Sequence, residues 1–530
     1  MGFFRNSKIA GFWISLLVIS VVSFYYYLAS VSKTDGHYIY MLDDAYIHLA
    51  MAKNFALHSV WGVTPYEFSS TSSSPLFTFL ISVLIRIFGN NDQLPLYFNI
   101  IFGIGIVFLL SRYYSVVFKE WKKIVLAVLF TVFFTVVYVQ VLSGMEHVFQ
   151  VFLFVTNIFC FSRWSKNKYS VAGFYGSLLL MGLVRFESMF YFVILAFAFL
   201  LIKKWKEALG VLLAGFIPVI IFCYFNYLQD GYLFPNSVVV KGTKLSFGPN
   251  MLFQLKTIFL DNLLLNPSFY KIGFFPVVLS AILIYREGKK NSFTETIRKN
   301  FLLIVFSLLM ICHSMFADLK GLFRYEAYIL TGFSMALIPK VSSLFTDFKN
   351  DIKKERLVSF LILMNVLLLI YKCWISHWMI INGGKNIYEQ QIQSAKFLHT
   401  YYNTSKVVAN DIGAITYYTD IHLLDIAGLG SKEMIPFNEN KRVFDTRFED
   451  FLTQYGRTNH YKIAIVYEEW LQGYVPETWK KAAVLKIRNK TMVARDEVSV
   501  YSIGGRDIQA LKQNIRNFNW NKNVKVTIFD

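Results

Sequence analysis

The apolar run Ile9-Ala-Gly-Phe-Trp-Ile-Ser-Leu-Leu-Val-Ile-Ser-Val-Val-Ser-Phe-Tyr-Tyr-Tyr-Leu-Ala-Ser-Val31 is followed, after a short polar link, by Met41-Leu-Asp43-Asp44-Ala-Tyr-Ile-His-Leu-Ala50. The first stretch is long enough to cross a bilayer, which takes about 20 apolar residues. It exceeds the ~7–15-residue apolar core of a signal peptide and ends without a small-x-small cleavage pattern, so it reads as a retained span. The second stretch sets two carboxylates side by side just beyond that span. Such a pair can hold a metal, deprotonate a hydroxyl, or start a helix.

The rest of the chain repeats the first pattern. Its 530 residues are 55% hydrophobic and only 16% charged, against roughly 25% charged in a soluble globular protein. Apolar runs separated by short basic clusters recur from residue 9 to about residue 380, the signature of an α-helical polytopic membrane protein. The formal charge of +19 does not point to nucleic acid, because the basic residues lie mainly in short inter-span loops. Cys160, Cys223, Cys312 and Cys373 all fall in apolar runs, which suits packing and suggests neither a disulfide framework nor a metal site.

Basic clusters fix the expected orientation. Lys119–Lys123, Arg163–Lys168, Lys203–Lys206, Arg286–Lys299 and Lys349–Arg356 should all be cytoplasmic. A full span at 74–88 would put the cluster at 119–123 outside and invert every later loop. That segment is short, begins at Pro75 and carries Arg86, so we place it as a helix on the outer interface. About eleven spans remain, with the N-terminus cytoplasmic. Residues 1–381 are then the membrane domain, with a first outer loop at 32–94. Residues 382–530, where strand-like runs such as Ile463-Ala-Ile-Val-Tyr467 alternate with polar or helical stretches, form a small extracytoplasmic α/β domain.

Several polar motifs fall at the outer ends of spans. Asp43 is placed to cap a helix running to about Leu57, and Asp44 to favour its N-terminal dipole. Capping needs one acid, however, and two adjacent ones repel unless a cation or proton intervenes. His48 lies four residues after Asp44 on the same helical face. The segment Ser143-Gly-Met-Glu-His147 is a glycine turn, or else brings Glu146 and His147 to the same cavity as the acids. Arg185 and Glu187 form a local ion pair, or Arg185 holds a phosphate, for which a guanidinium fork is suited. Arg324 reads the same way, and Lys241 is a further outward cation. Ser69–Ser74 is most simply a flexible turn before Pro75.

In order, these motifs resemble the GT-C superfamily of polyprenyl-phosphate-dependent glycosyltransferases. They are most similar to a bacterial branch that includes mycobacterial terminal arabinofuranosyltransferases. The residues carrying the resemblance are Asp43-Asp-Ala-Tyr-Ile47, Ser74-Pro-Leu76, Ser143-Gly-Met-Glu-His147, Arg185-Phe-Glu187 and Phe234-Pro-Asn236, with Asp411-Ile-Gly-Ala and Asp425-Ile-Ala-Gly-Leu429 towards the C-terminus. His147 and Phe186 depart from the branch's usual Thr and Pro, so its sugar and acceptor preferences need not carry over.

The resemblance implies an enzyme of the bacterial cytoplasmic membrane that moves a sugar from a polyprenyl-phosphate donor to a hydroxyl of a cell-envelope glycan, lipid or protein on the extracytoplasmic side. It implies Asp43 as the base and Asp44 as the group that orients the acceptor or helps bind a cation. Arg185, Lys241 and Arg324 are the expected phosphate ligands, in that order. Glu146, His147, Glu187 and His48 line the cavity. A divalent cation (Mg, Mn or Ca) would sit on Asp44, Glu146 and His147. The competing class is a transporter or lipid flippase, which shares the spans and the polar cavity. Its ionisable residues gather near mid-membrane, whereas these lie at span ends. A non-catalytic scaffold would leave the ordered acid and arginine motifs unexplained.

Overall fold

A computed structural model describes residues 7–164, 167–242, 251–317, 319, 324–345, 348–438 and 443–529. Parts of three expected loops, at 165–166, 243–250, and 318 with 320–323, lie outside the described residues. The chain is mostly helical. It divides into two compact units, one of Met1–Tyr25, Leu96–Phe222 and Thr243–His377, the other of Tyr26–Pro95, Cys223–Gly242 and Trp378–Asp530.

Apolar length accounts for the long helices. Lys8–Val31, Leu94–Val117, Trp205–Asp230, Ala327–Leu344 and Arg356–Tyr402 are each long and apolar enough to span a membrane. Two bent pairs raise this number to seven if each counts as one span: Met251–Ile272 with Phe274–Gly288, bent by 93°, and Phe293–Lys299 with Phe301–Phe316, bent by 82°. The expected spans at 147–161, 169–184 and 188–202 are helices His147–Phe161, Lys168–Val184 and Ser188–Leu201. The expected continuous segment 124–142 is instead broken. Its helix Trp121–Phe134 stops, Val136 takes φ +57°, and a single turn Val137–Gln140 follows. A β-branched residue at positive φ is a steric outlier, and no Gly or Pro in the sequence announces it.

The second unit carries a six-stranded mixed sheet. Its strands are β1 (Lys406–Ala409), β2 (His422–Asp425), β3 (Ile463–Val466), β4 (Trp479–Lys486), β5 (Glu497–Ile503) and β6 (Lys525–Ile528), in the order β2-β1-β3-β5-β4-β6. β1 runs parallel to both neighbours, Val408 pairing with Leu424 and Ala464, and the remaining pairs are antiparallel. β3 is buried along its whole length, as a central strand covered on both faces should be. On one face, Val408, Leu424, Ala464 and Val466 pack with Phe448 and Leu452 of helix Thr446–Thr458. That helix is capped by Asp445, whose carboxylate accepts the Arg447 N–H at 3.1 Å.

The segment expected as the first outer loop belongs to the same unit. Helix Asp44–His58 packs against helix Pro75–Phe88 and against the short helix Gly413–Tyr418, which connects β1 to β2. The long helix Arg356–Tyr402 widens into one π-helical turn at Tyr388–Ile392. That turn brings successive glutamines, Gln390 and Gln391, to the side chain of Tyr467 just after β3.

Candidate active site

Asp43 occupies the N-cap position of helix Asp44–His58, but its carboxylate does not cap that helix. One oxygen accepts the Gly413 N–H at 2.6 Å and the other the Ala414 N–H at 2.8 Å. The carboxylate therefore seats the start of a helix more than 360 residues further along, using donors that a helix N-terminus leaves open. The approach is close enough to require glycine: a Cβ on Gly413 would lie 2.1 Å from the Asp43 carbonyl oxygen.

Asp411 stands two residues before Gly413 and faces the same carboxyl. It accepts hydrogen bonds from Tyr467 Oη at 2.9 Å and Gln391 Nε2 at 2.5 Å. Burial, together with the charge of Asp411, holds the Asp43 carboxyl well above the usual carboxylate range, against the two backbone donors. Burial also raises Asp411, opposed by Tyr467 and Gln391. Two neighbouring buried carboxyls repel when both are ionised, so each favours the protonated form of the other. Asp43 is only 7% exposed, whereas Asp44 in the first turn of the helix is partly exposed. Asp43 has both oxygens committed to backbone donors and acts as a clamp, and Asp44 is the more accessible acid.

The neighbouring motifs are more ordered than their composition suggests. His48 Nδ1 lies 3.0 Å from Ser72 Oγ and 3.1 Å from Thr78 Oγ1, and those two hydroxyls are 2.8 Å apart. The imidazole thus ties helix 44–58 to the start of helix 75–88. Ser69, Ser70, Thr71, Ser72 and Ser74 are buried, so the expected flexible turn is a packed one, with Ser69 Oγ and Thr71 Oγ1 3.1 Å apart and the Ser69 and Ser72 hydroxyls accepting the backbone N–H groups of Val63 and Ser74.

Towards the C-terminus of the sequence, Asp425 accepts N–H bonds from Ala427, Leu429 and Gly430 at 2.7–2.9 Å. Burial pushes it up to about 6 despite these donors and the charge of Lys241. Asn236 donates to the carbonyl of Leu429 at 3.2 Å, which joins the Phe234-Pro-Asn236 motif to the Asp425 loop. Lys241 ends helix Asn236–Lys241 and is exposed.

In the other unit, five of the expected residues meet around one tyrosine. Gly144 takes φ +69° in the turn before helix His147–Phe161, and Glu146 at its N-cap is fully buried. Arg185 donates to Glu146 Oε1 at 2.8 Å, and to both oxygens of Glu187 at 3.1 and 2.5 Å. Its guanidinium lies 5.0 Å from the centre of the Tyr325 ring, and that of Arg324 lies 4.9 Å from the same ring. The His147 ring meets Tyr325 edge-on at 5.7 Å. The ion-pair reading of Arg185 and Glu187 therefore describes the geometry, with Glu146 as an added partner. Glu146 and Glu187 thus both face the Arg185 guanidinium, which the sequence offered as a phosphate ligand. Deeper in the unit, Lys372 and Glu326 form a second buried pair at 3.8 Å.

Sequence reasoning missed Tyr325, Gln391 and Tyr467, and gave Asp411 no role. Tyr325 lies beside Arg324, and an aromatic next to an arginine is a recognisable cation–π signal. Gln391 and Tyr467 carry no such local mark. Among the described residues, no group of three or more His, Cys, Asp or Glu side chains is arranged to hold a metal ion. No step is therefore derived through the cation expected on Asp44, Glu146 and His147.

Residues 385–501 match a family described as a domain of unknown function, DUF8728. No curated protein matches the sequence. The fold is similar to crystal structures of ArnT from Cupriavidus metallidurans. The form bound to undecaprenyl phosphate is 10% identical, with a TM-score of 0.50, over 92% of this chain and 97% of that one. The apo form is 11% identical, with the same score and coverage. The chain thus has a GT-C-like membrane fold with a small sheet domain towards its C-terminus.

Proposed function

We propose that this protein is a membrane glycosyltransferase that takes its sugar from a polyprenyl-phosphate donor. What carries the reading is the acid pair: Asp43 is locked onto the backbone of Gly413 and Ala414, and this holds Asp44 in place at the first turn of the same helix. The likeness to a fold crystallised with undecaprenyl phosphate supports the choice of donor.

In the proposed step an acceptor hydroxyl oxygen attacks the anomeric carbon of the donor sugar. The bond from that carbon to the phosphate oxygen breaks, and its electron pair leaves with polyprenyl phosphate. The hydroxyl proton passes to Asp44, which acts as the base. Arg185, Lys241 and Arg324 are the candidates to stabilise the departing phosphate, Arg324 lying over the Tyr325 ring. Arg185 contributes through its network with Glu146 and Glu187, and Lys241 as an exposed cation. The acceptor is a cell-envelope glycan, lipid or protein met on the extracytoplasmic face of the bacterial cytoplasmic membrane. Placement beside the terminal arabinofuranosyltransferases rests on the ordered motifs alone.

The test is release of polyprenyl phosphate by the purified full-length protein, supplied with a panel of polyprenyl-phosphate sugars and envelope acceptors. Release with at least one donor is expected, and its loss in Asp44→Asn with the protein still folded. Undiminished release in Asp44→Asn would remove the base assignment. Transbilayer movement of the donor without release would make the protein a flippase.

A further inference from the structure

The short helix Gly413–Tyr418 has two working ends. Its first residues hold the Asp43 carboxylate. Its last two, Tyr417 and Tyr418, form the wall of an open cavity of about 460 Å³. At ~1.5 Å per residue the cavity begins roughly 6 Å along this helix from the clamp. Lys53, Asn90, Asn91 and Asp92 line it further, and Asp420 borders it. Its volume falls in the range of about 300–1,000 Å³ typical of small-ligand sites.

The lining is already organised by its own hydrogen bonds. Tyr417 Oη donates to Asn90 Oδ1 at 3.0 Å, and Tyr418 Oη donates to Asp92 Oδ2 at 2.7 Å. Lys53, buried at 7% exposure, donates to the Tyr417 carbonyl at 2.8 Å and lies 3.7 Å from Asp420. Beyond Asp420 the surface continues as an aromatic shelf. Tyr66 and His422 stack with ring centres 3.7 Å apart, and Tyr66 Oη donates to the Asp420 carbonyl.

Charge decides the ligand class. One ammonium against the two carboxylates of Asp92 and Asp420 makes a poor phosphate site, so the cavity is not a second seat for the donor head. Amides and carboxylates that bond hydroxyls in pairs, set beside the partly exposed Tyr418 and the exposed Tyr66 ring, suit an uncharged polyhydroxyl ligand.

We propose that this cavity binds the acceptor as a hydroxyl-rich, uncharged glycan. An inner sugar is held against Tyr417, Tyr418 and Asp92, and the terminal hydroxyl reaches towards Asp44. The proposal rests on the glycosyltransferase reading for the word acceptor, but not for the binding of a glycan.

The experiment separates the two. Saturation-transfer NMR is run on full-length Asp44→Asn protein in detergent with uncharged trisaccharides of glucose, galactose, mannose and N-acetylglucosamine. At least one should bind, and Asn91→Ala and Asp92→Asn, each added separately, should weaken it about tenfold. Asn91 is exposed, so its variant tests the site without disturbing a core. No binding by any trisaccharide, equal binding in both variants, or displacement by inorganic phosphate overturns the proposal. With the wild-type acids restored and the bound trisaccharide as acceptor, the same two variants should raise acceptor KM more than they lower kcat. Binding that depends on the cavity, in a protein that releases polyprenyl phosphate from no donor, would sink the transferase reading and leave the glycan site standing.

Discussion

The molecule holds two buried charged clusters, each built at the start of a helix, and they solve opposite problems. Around Tyr325, unlike charges meet. Arg185 is shared between Glu146 and Glu187, and attraction offsets much of the cost of burying them. Around Gly413, like charges meet. Asp43 and Asp411 face each other, held by backbone N–H groups, a phenol and a glutamine amide rather than by a cation. The first arrangement sets opposite charges against one another, and in the second burial and repulsion favour the protonated carboxyl. A fixed ion network suits the handling of a constant phosphate charge, whereas a protonated clamp beside an accessible acid suits a site where a proton must move.

The largest effect should come from the second cluster's neighbour. Asp44→Asn should lower transfer by about 10²–10⁴-fold, measured as polyprenyl phosphate release, with little change in thermal stability. A large loss of stability instead would make Asp44 structural and erase the contrast with Asp43. Next comes Arg185→Ala, which removes the cation from buried Glu146 and partly exposed Glu187 and should cost about 3–5 kcal/mol, read from unfolding of the full chain in detergent. An equal cost from Arg185→Lys would show that the forked geometry matters as much as the charge.

The clamp should respond to pH, with a definite sign. Asp43, Asp411 and Asp425 all have raised pKa values in the folded chain. A raised carboxyl gives its full stabilisation below its unfolded value, and that is lost as pH rises through the folded one. Stability of the wild-type protein should therefore fall upward from about pH 4, by up to ~1.4 kcal/mol per pH unit for each group. Asp425 completes its share near pH 6. Asp411→Asn removes both the share of Asp411 itself and the repulsion across the dyad, so the slope should flatten by more than one group's share; flattening by one share only would show that burial alone raises Asp43. The smallest effect is Tyr325→Leu, which removes two cation–π contacts at about 0.5–1 kcal/mol each, read as a shift in midpoint temperature.

The sequence told most about what depends on neighbours in the chain. The apolar runs gave the long helices, and Arg185 with Glu187, two residues apart, gave half of an ion network. Its third member, Glu146, was quoted as a motif but could not be joined to Arg185, because the pairing crosses from one helix start to another. Asp43 was correctly placed at a helix start, yet the donors its carboxylate accepts from lie in the link after β1, and nothing near residue 43 encodes them. The Ser69–Ser74 run illustrates the reverse failure. Small polar residues suggest a loose loop, whereas here the Ser69, Thr71 and Ser72 hydroxyls find partners in the packed turn and beyond it. The break at Val136 left no trace because an apolar run reads alike whether its backbone is helical or not.

The single wide turn at Tyr388–Ile392 has a genetic consequence. In a regular α-helix consecutive side chains diverge by about 100°, yet Gln390 and Gln391 both reach Tyr467. A π-turn holds one residue more than the regular ladder needs. Deleting one codon there would restore the regular ladder and leave the later helix in register, yet Gln390 and Gln391 could no longer both reach Tyr467, and the amide bond to Asp411 would be lost. Such a deletion should be tolerated far less well than most point substitutions in the same turn, so the length of this helix, and not only its composition, is part of what the site inherits.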